Sequence, residues 1–476
     1  MSVGKRSTLR VFAVVMLVLV LPPLIWLVTS ALVNLVDVEL SADGKALLKF
    51  PVLPEPNERN AYVSILGLGA ATGVDPYAQG LKALAALKAQ DQPGFSKSSA
   101  WREELDRGQL KSDKSRPICK PEEKSCLELV AAKPEVEKHV SGHQTLLERY
   151  RGVRSRPEYA DLYVPAKFDS ALPNFGNLTE PQNLALLSAA LKATGGDLEG
   201  AVAELEAENA FHRRVAAGSG ALIAKMVAVT MLSRDALFVS DLVREKSQAI
   251  APFRARLEAL VRPLTPAETE LATVLQQENA ALVNWLSGLH FDTGLQAMLG
   301  NVDLGIWPSL WYRPNQTINL AGAYFSLART LLHAPAARLR TDAAAVSEKQ
   351  RALKAGGISA FLRINRTGER LVELLLEYES TEEQLFLPYV SRIHDLGGLY
   401  SLVALQIKLD AAGVREPDAV AAALAGPLGA EFPDPWTGKP MVYDAKRNTI
   451  GFETRSTGLI VGSLKKRFGG RVAVAL

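Results

Sequence analysis

Cysteine and histidine are scarce in this chain, at two and six among 476 residues, which excludes a disulfide-dense scaffold. An excess of one charge is missing too. The 54 Lys and Arg against 51 Asp and Glu leave a net +3, so nothing marks a dedicated nucleic-acid binder and nucleic acid is not an expected partner. Catalytic motifs are likewise absent: there is no His-Glu-x-x-His, no glycine loop ending in Gly-Lys-Ser/Thr and no Gly-x-Ser-x-Gly elbow, since Ala217 stands where Gly218-Ser219-Gly220 would need the upstream glycine. His394 and Asp395 are adjacent, and neighbours at i,i+1 on a helix do not face each other. His212, His290 and His333 stand isolated and are expected at the surface or at caps. No catalytic residue, cofactor or metal ligand is therefore assigned. What is present is an ordinary folded composition, 48% hydrophobic and 22% charged with 35 Gly and 26 Pro, which excludes a disordered or collagenous chain.

The apolar content is concentrated at the front. After Lys5, Arg6 and Arg10, residues 11–33 run without a charged side chain. As a helix at 1.5 Å per residue such a run spans about 35 Å, enough for a bilayer core of about 30 Å. Pro22 and Pro23 are tolerated as kinks in a membrane helix, and Trp26 can anchor at an interface. Residues 1–10 are then a cytoplasmic tail, residues 11–33 contact the lipid bilayer and the rest lies on the far side. A cleaved signal peptide is the rival reading, with Thr29-Ser30-Ala31 as a cleavage site, although its apolar core would be shorter.

Residues 34–57 read as a short hairpin around Asp43-Gly44 followed by a stiff spacer carrying Pro51, Pro54 and Pro56. Residues 58–356 carry apolar side chains at three- and four-residue steps, the pattern of an α-helical domain. Its clearest unit is a helical hairpin, 183–193 and 198–215, joined by Thr194-Gly195-Gly196-Asp197. It looks like a single tetratricopeptide-type hairpin, with no second copy near a period of 34 residues. Helices are also expected at 220–231 and 233–244, and residues 91–126 are expected as a long loop. Cys119 and Cys126 close that loop. A disulfide is the favoured reading in an oxidising compartment. The alternative is a metal site, because Cys119-x6-Cys126-x12-His139-x3-His143 shares the second half of a zinc-finger pattern, but the six-residue gap between the cysteines does not fit the first half. Arg149, Arg151, Arg154 and Arg156, interleaved with Tyr150 and Tyr159, read as a solvated helix end, with lipid headgroups or an acidic partner as the functional alternative.

Two of the six tryptophans fall in an irregular aromatic stretch, 306–316. Such a loop either plugs onto the helices or offers a partner platform, and Trp307, Trp311, Tyr312 and Arg313 are its candidate partner-binding residues. Residues 357–476 form a C-terminal α+β region. It begins with two short strands, or a strand and a helix, at 357–365 and 368–378, continues through a long helix at 388–412, and ends in strand-like pieces at 441–443, 450–452 and 459–461. The fold class expected is mainly α, an irregular helical bundle with one transmembrane helix and a small α+β element.

The stretch Asp434-Pro435-Trp436-Thr437-Gly438-Lys439-Pro440, with the blocks Asn60-Ala61-Tyr62, Leu147-Glu148-Arg149-Tyr150, Lys225-Met226-Val227-Ala228 and Tyr312-Arg313-Pro314-Asn315, resembles uncharacterised proteobacterial envelope proteins with one N-terminal membrane helix. The resemblance implies an inner-membrane protein with a periplasmic helical domain, and it transfers no catalytic residue. The function expected is a membrane-anchored binding or scaffold component of the cell envelope with a protein partner. The alternative is a hydrolase-like envelope enzyme built on dispersed carboxylates such as Asp169, Asp303 and Asp395.

Overall fold

The computed structural model describes residues 3–49, 52–92, 95, 98–110, 117–165, 170–289, 308–353, 357–376, 386–455, 463–464, 467–468 and 471–476. The protein is mainly helical, with one N-terminal apolar helix and a small antiparallel sheet near the C-terminus. It divides into two compact units that interleave along the chain. The first comprises Met1–Phe50, Asn279–Leu331 and Thr341–Leu385, and the second Pro51–Glu278, Leu332–Arg340 and Phe386–Leu476. Each unit draws on segments far apart in sequence.

In the first unit, helix Val3–Asn34 carries Pro22 and Pro23 in its interior. Val14 to Leu21, Leu24, Ile25, Val28 and Leu32 are all exposed. The segment Val14–Asn34 is long and apolar enough to cross a membrane. The hairpin expected around Asp43-Gly44 is instead a helix, Ala42–Leu47. Ser41 caps it by accepting from the Gly44 amide at 3.0 Å, and Asp43 sits in the first turn, where the helix dipole favours an anion. Gly44 serves close packing, not a turn: a Cβ there would stand 2.7 Å from Asn319 Oδ1 on helix Pro314–Arg329. After residue 357, where two strands or a strand and a helix were expected, the described residues form no strand. Ile358–Phe361 and Arg366–Leu376 are both helices. Gly357, Arg363 and Asn365 adopt left-handed backbone (φ +60°, +52° and +51°), which ends one helical turn on both sides and prevents extended pairing.

The second unit is built on the predicted hairpin. Helix Gly176–Thr194 turns through Gly196, whose φ of +91° suits glycine, into helix Leu198–Gly218, where Asp197 accepts from the Gly200 amide at 2.8 Å. Helix Leu222–Lys246 runs unbroken where two helices were expected, and Leu387–Ala411 packs along it. Ser233, the first residue of the second expected helix, donates its hydroxyl to the Val229 carbonyl at 2.8 Å and stays within the helix. The expected loop at 91–126 contains a helix, Ser99–Arg107, capped by Ser98 and fastened by the Trp101 indole donating to the Ala86 carbonyl at 2.8 Å. Cys119 and Cys126 form a disulfide, with Cα atoms 5.2 Å apart.

Three antiparallel strands, β1 (Val442–Asp444), β2 (Thr449–Phe452) and β3 (Val472–Ala475), pair in the order β1-β2-β3, with Ile450 opposite Tyr443 and Val474. The expected strand at 459–461 lies outside the described residues, and β3 supplies the third strand, packed on helix Leu387–Ala411.

Candidate functional site

Trp26, Ser30 and Asn34 recur every four residues, which places them on one face of the first helix. All three are committed to the rest of the first unit. The Trp26 indole donates to the Phe361 carbonyl at 2.9 Å, and Ser30 Oγ donates to the Leu362 carbonyl at 2.5 Å. The Asn34 amide donates to the Arg363 carbonyl at 3.3 Å while its oxygen accepts from the Asn365 amide at 2.8 Å. One side of an otherwise apolar helix thus satisfies backbone groups at four of the five positions 361–365 of a chain turn. Polar groups on an apolar helix are costly unless paired, and these three are paired.

The aromatic loop completes this joint. Trp311 is 5% exposed and its indole donates to Ser30 Oγ at 2.8 Å. Arg313 donates to the Val33 carbonyl at the end of the helix, and its amide donates to Asn365 Oδ1 at 2.9 Å. Arg363 lies over both indoles, 5.5 Å from the Trp26 ring and 5.1 Å from the Trp311 ring. The Tyr312 hydroxyl donates to the Leu286 carbonyl, and burial, helped by Asp37, pushes the phenol above its ordinary range. Of the four candidate partner-binding residues, Trp311, Tyr312 and Arg313 are therefore engaged within their own unit, and Trp307 lies outside the described residues.

Asp37 extends the joint by capping helix Pro314–Arg329 from a distant part of the chain. Its carboxylate accepts from the amides of Asn315 at 2.7 Å and Gln316 at 3.2 Å. Asn319 then spans the next turn, accepting from the Ser41 amide at 2.7 Å and donating to the Glu39 carbonyl at 2.8 Å. An anionic cap at a helix N-terminus is worth about 1–2 kcal/mol. Asp37→Ala is expected to lower unfolding stability by that amount in detergent micelles, and Asp37→Asn, which keeps the acceptor, by clearly less. Equal losses would show that the charge, and not the cap, matters.

In the second unit the arginine-rich helix end turns inward, contrary to the expectation of a solvated face. Arg149 donates to the Ala70 carbonyl at 2.6 Å, and Arg151 meets Glu204 at 2.9 Å. Arg154, only 5% exposed in its side chain, bridges Glu204 at 2.6 Å and Glu208. Lys192 adds a further contact to Glu204 at 3.0 Å. Burial raises the Glu204 carboxyl, but these three cations outweigh it and hold it at about 2.

His212 joins the same network instead of sitting at the surface. It is wholly buried, with Nδ1 2.7 Å from Asp235 and Nε2 3.2 Å from Glu208. Burial lowers its pKa, yet the two carboxylates more than reverse this and raise it to about 9. The Tyr150 hydroxyl donates to Glu208 at 3.0 Å and lies 3.2 Å from His212 Nε2. Tyr150, His212 and Asp235 have the connectivity of a nucleophile, a base and an orienting acid. Their exposures of 0%, 0% and 1% seal them from a substrate, so the line holds helices together. The signal in the sequence was the i,i+4 series Glu204, Glu208, His212 on one helix face. The partners Arg154 and Asp235 come from other helices.

Asp395 accepts from the Trp436 indole at 2.8 Å and from Thr454, while His394 stacks edge-on to Trp436 at 5.6 Å, so the adjacent pair makes no dyad. Asp169, Asp303 and His290 lie outside the described residues, and His333 is exposed. His139 and His143 stack at 4.4 Å across the break between two short helices, away from the bridged cysteines in bonding terms. Among the described residues no group of three or more His, Cys, Asp or Glu is arranged to hold a metal ion. A small pocket of about 130 Å³ is lined by Arg244, Ser247, Asp410, Arg415 and Leu476 among others. That is below the roughly 300 Å³ from which small-molecule sites start. Comparison of the chain with protein families, with characterised proteins and with solved structures finds no match.

Proposed function

We propose that this protein is a single-pass component of a bacterial cell envelope, anchored in the inner membrane by residues 11–33, with its folded body in the periplasm, and that it acts by binding a protein partner. The observation that carries the reading is the joint at the end of the first helix. A signal peptide is discarded and has no reason to be built into the mature fold. Here Ser30 is wholly buried and bonded to both Leu362 and Trp311, so cleavage at Thr29-Ser30-Ala31 would take the Trp26 and Ser30 contacts away. A retained helix with exposed apolar sides needs lipid around it. Lys5, Arg6 and Arg10 before the helix favour a cytoplasmic N-terminus. The Cys119–Cys126 disulfide favours an oxidising compartment for the body.

The test has two readouts on the full chain expressed in a Gram-negative host. An alkaline phosphatase fused after residue 60 is expected to be active, and the purified membrane protein is expected to retain peptides from residues before 30. An inactive fusion would overturn the periplasmic placement, and a mature terminus at residue 31 or 32 would overturn the anchor. For the binding role, cross-linking in intact membranes is expected to give a discrete heterologous adduct. Recovery of the uncross-linked chain alone would count against a partner.

A further inference from the structure

The chain turn that grips the first helix has an outer side of its own. Helix Ile358–Phe361 is a single turn, and its apolar side chains point away from the protein: Ile358 is 75% exposed and Phe361 64%. Leu353, shortly before it, is also exposed. Left-handed backbone at Gly357 before the turn and at Arg363 after it shapes a tight protrusion. Two large exposed apolar residues on a strained protrusion are an unusual expense for a water-facing surface.

The position of the protrusion says what covers it. The Phe361 carbonyl is bonded to the Trp26 indole, with the two rings 6.5 Å apart. Trp26 lies within the membrane-length segment Val14–Asn34. Eight residues separate Trp26 from Asn34, about 12 Å along a helix axis. Leu24, Ile25 and Val28, around the same level of the helix, are exposed apolar residues. Phe361 therefore lies at the level of Trp26, below Asn34 and beside the exposed apolar surface of the first helix. Arg363, held over the Trp26 and Trp311 indoles, supplies a cation at that level for a headgroup phosphate, and Arg366, three residues on, is exposed.

We infer that helix Ile358–Phe361 is a second membrane contact, a one-turn wedge inserted into the outer leaflet of the bilayer that the first helix crosses. Its occupant is the acyl-chain region just under the headgroups, and the wedge fixes the rotation and depth of the anchor relative to the first unit. The inference rests on the first helix spanning the membrane.

The experiment uses the full chain reconstituted into vesicles of phosphatidylethanolamine and phosphatidylglycerol. Ile358→Cys is labelled with a polarity-sensitive fluorophore, leaving the native disulfide oxidised, and Leu17→Cys is labelled in parallel. Both side chains are exposed, so neither substitution disturbs packing. The label at 358 is expected to shift to the blue on reconstitution, to be quenched by lipids carrying a spin label near the headgroup, and to be shielded from aqueous iodide severalfold more than in detergent-free denaturant. The label at 17 is expected to be quenched by spin-labelled lipids. Quenching at 17 with iodide-accessible, lipid-unquenched emission at 358 would overturn the wedge and leave the anchor standing. Absence of lipid quenching at 17 would overturn the spanning helix, and the wedge with it.

Discussion

Glu208→Gln is expected to destabilise the protein by about 3–5 kcal/mol, the range for removing one partner from a buried ion pair. Glu208 is wholly buried and receives Arg154, the Tyr150 hydroxyl and His212 Nε2. The amide removes the negative charge but not the volume, so no cavity forms and the loss reports electrostatics. Arg154 would keep only Glu204, already shared with Arg151 and Lys192. Chemical denaturation of the full chain in micelles measures the effect. The comparison is Glu206→Gln, on the same helix, whose pairing with Arg256 is open to solvent. Exposed pairs are screened and contribute little, so that variant is expected to stay close to the parent. Equal losses in the two variants would mean that burial does not set the strength of the network.

His212 should make stability depend on pH in a defined direction. Its folded-state pKa of about 9 lies above the unfolded value near 6.5. The protonated ring therefore stabilises the fold, fully below about pH 6.5, and the contribution is lost as pH rises through about 9. The difference corresponds to on the order of 3 kcal/mol. Lys225 opposes it in the same window. Burial lowers its ammonium to about 8, so the fold gains stability as pH rises from there toward the unfolded lysine value. The parent profile alone thus mixes two terms. The stability gap between the parent and His212→Gln, which share Lys225, is expected to narrow by about 3 kcal/mol from pH 7 to pH 10. A gap that stays flat would show that the ring is neutral throughout. The raised carboxyls of Asp161 and Asp241, both at about 6, titrate below this window.

Helix content, the apolar first helix, the 176–218 hairpin and the close cysteine pair were legible because each is a local pattern. A 23-residue uncharged run, a Gly-Gly-Asp turn between apolar-periodic segments and a charged loop between two cysteines carry their meaning within a few residues. The misreadings share one cause. Asp43-Gly44 has hairpin chemistry, but Ser41 offers a cap and Gly44 fits against Asn319, so packing selects the helix. Residues 357–376 were ambiguous as a short apolar run, and the left-handed residues Arg363 and Asn365 are held by bonds to the first helix and to Arg313, all distant in sequence. His212 looked solvated although Glu208 precedes it on its own helix, because Asp235 lies on another helix, and the arginines at 149–156 did so because Glu204 and Glu208 lie some 50 residues away.

By itself the sequence determined where apolar surface must be hidden from water: along one face of most helices, and all round the first. That follows from side-chain chemistry and a 3.6-residue period, and needs no partner to be known. Only the tertiary structure decided which polar groups meet. Trp26, Ser30 and Asn34 read as incidental polarity on an apolar helix until Trp311 and the 361–365 turn, some 280 to 335 residues away, supply their partners. Hydrogen bonds and buried charges gain their strength from exclusion of water and from fixed geometry. Both are properties of the packed chain, and neither can be read from a residue's neighbours in sequence.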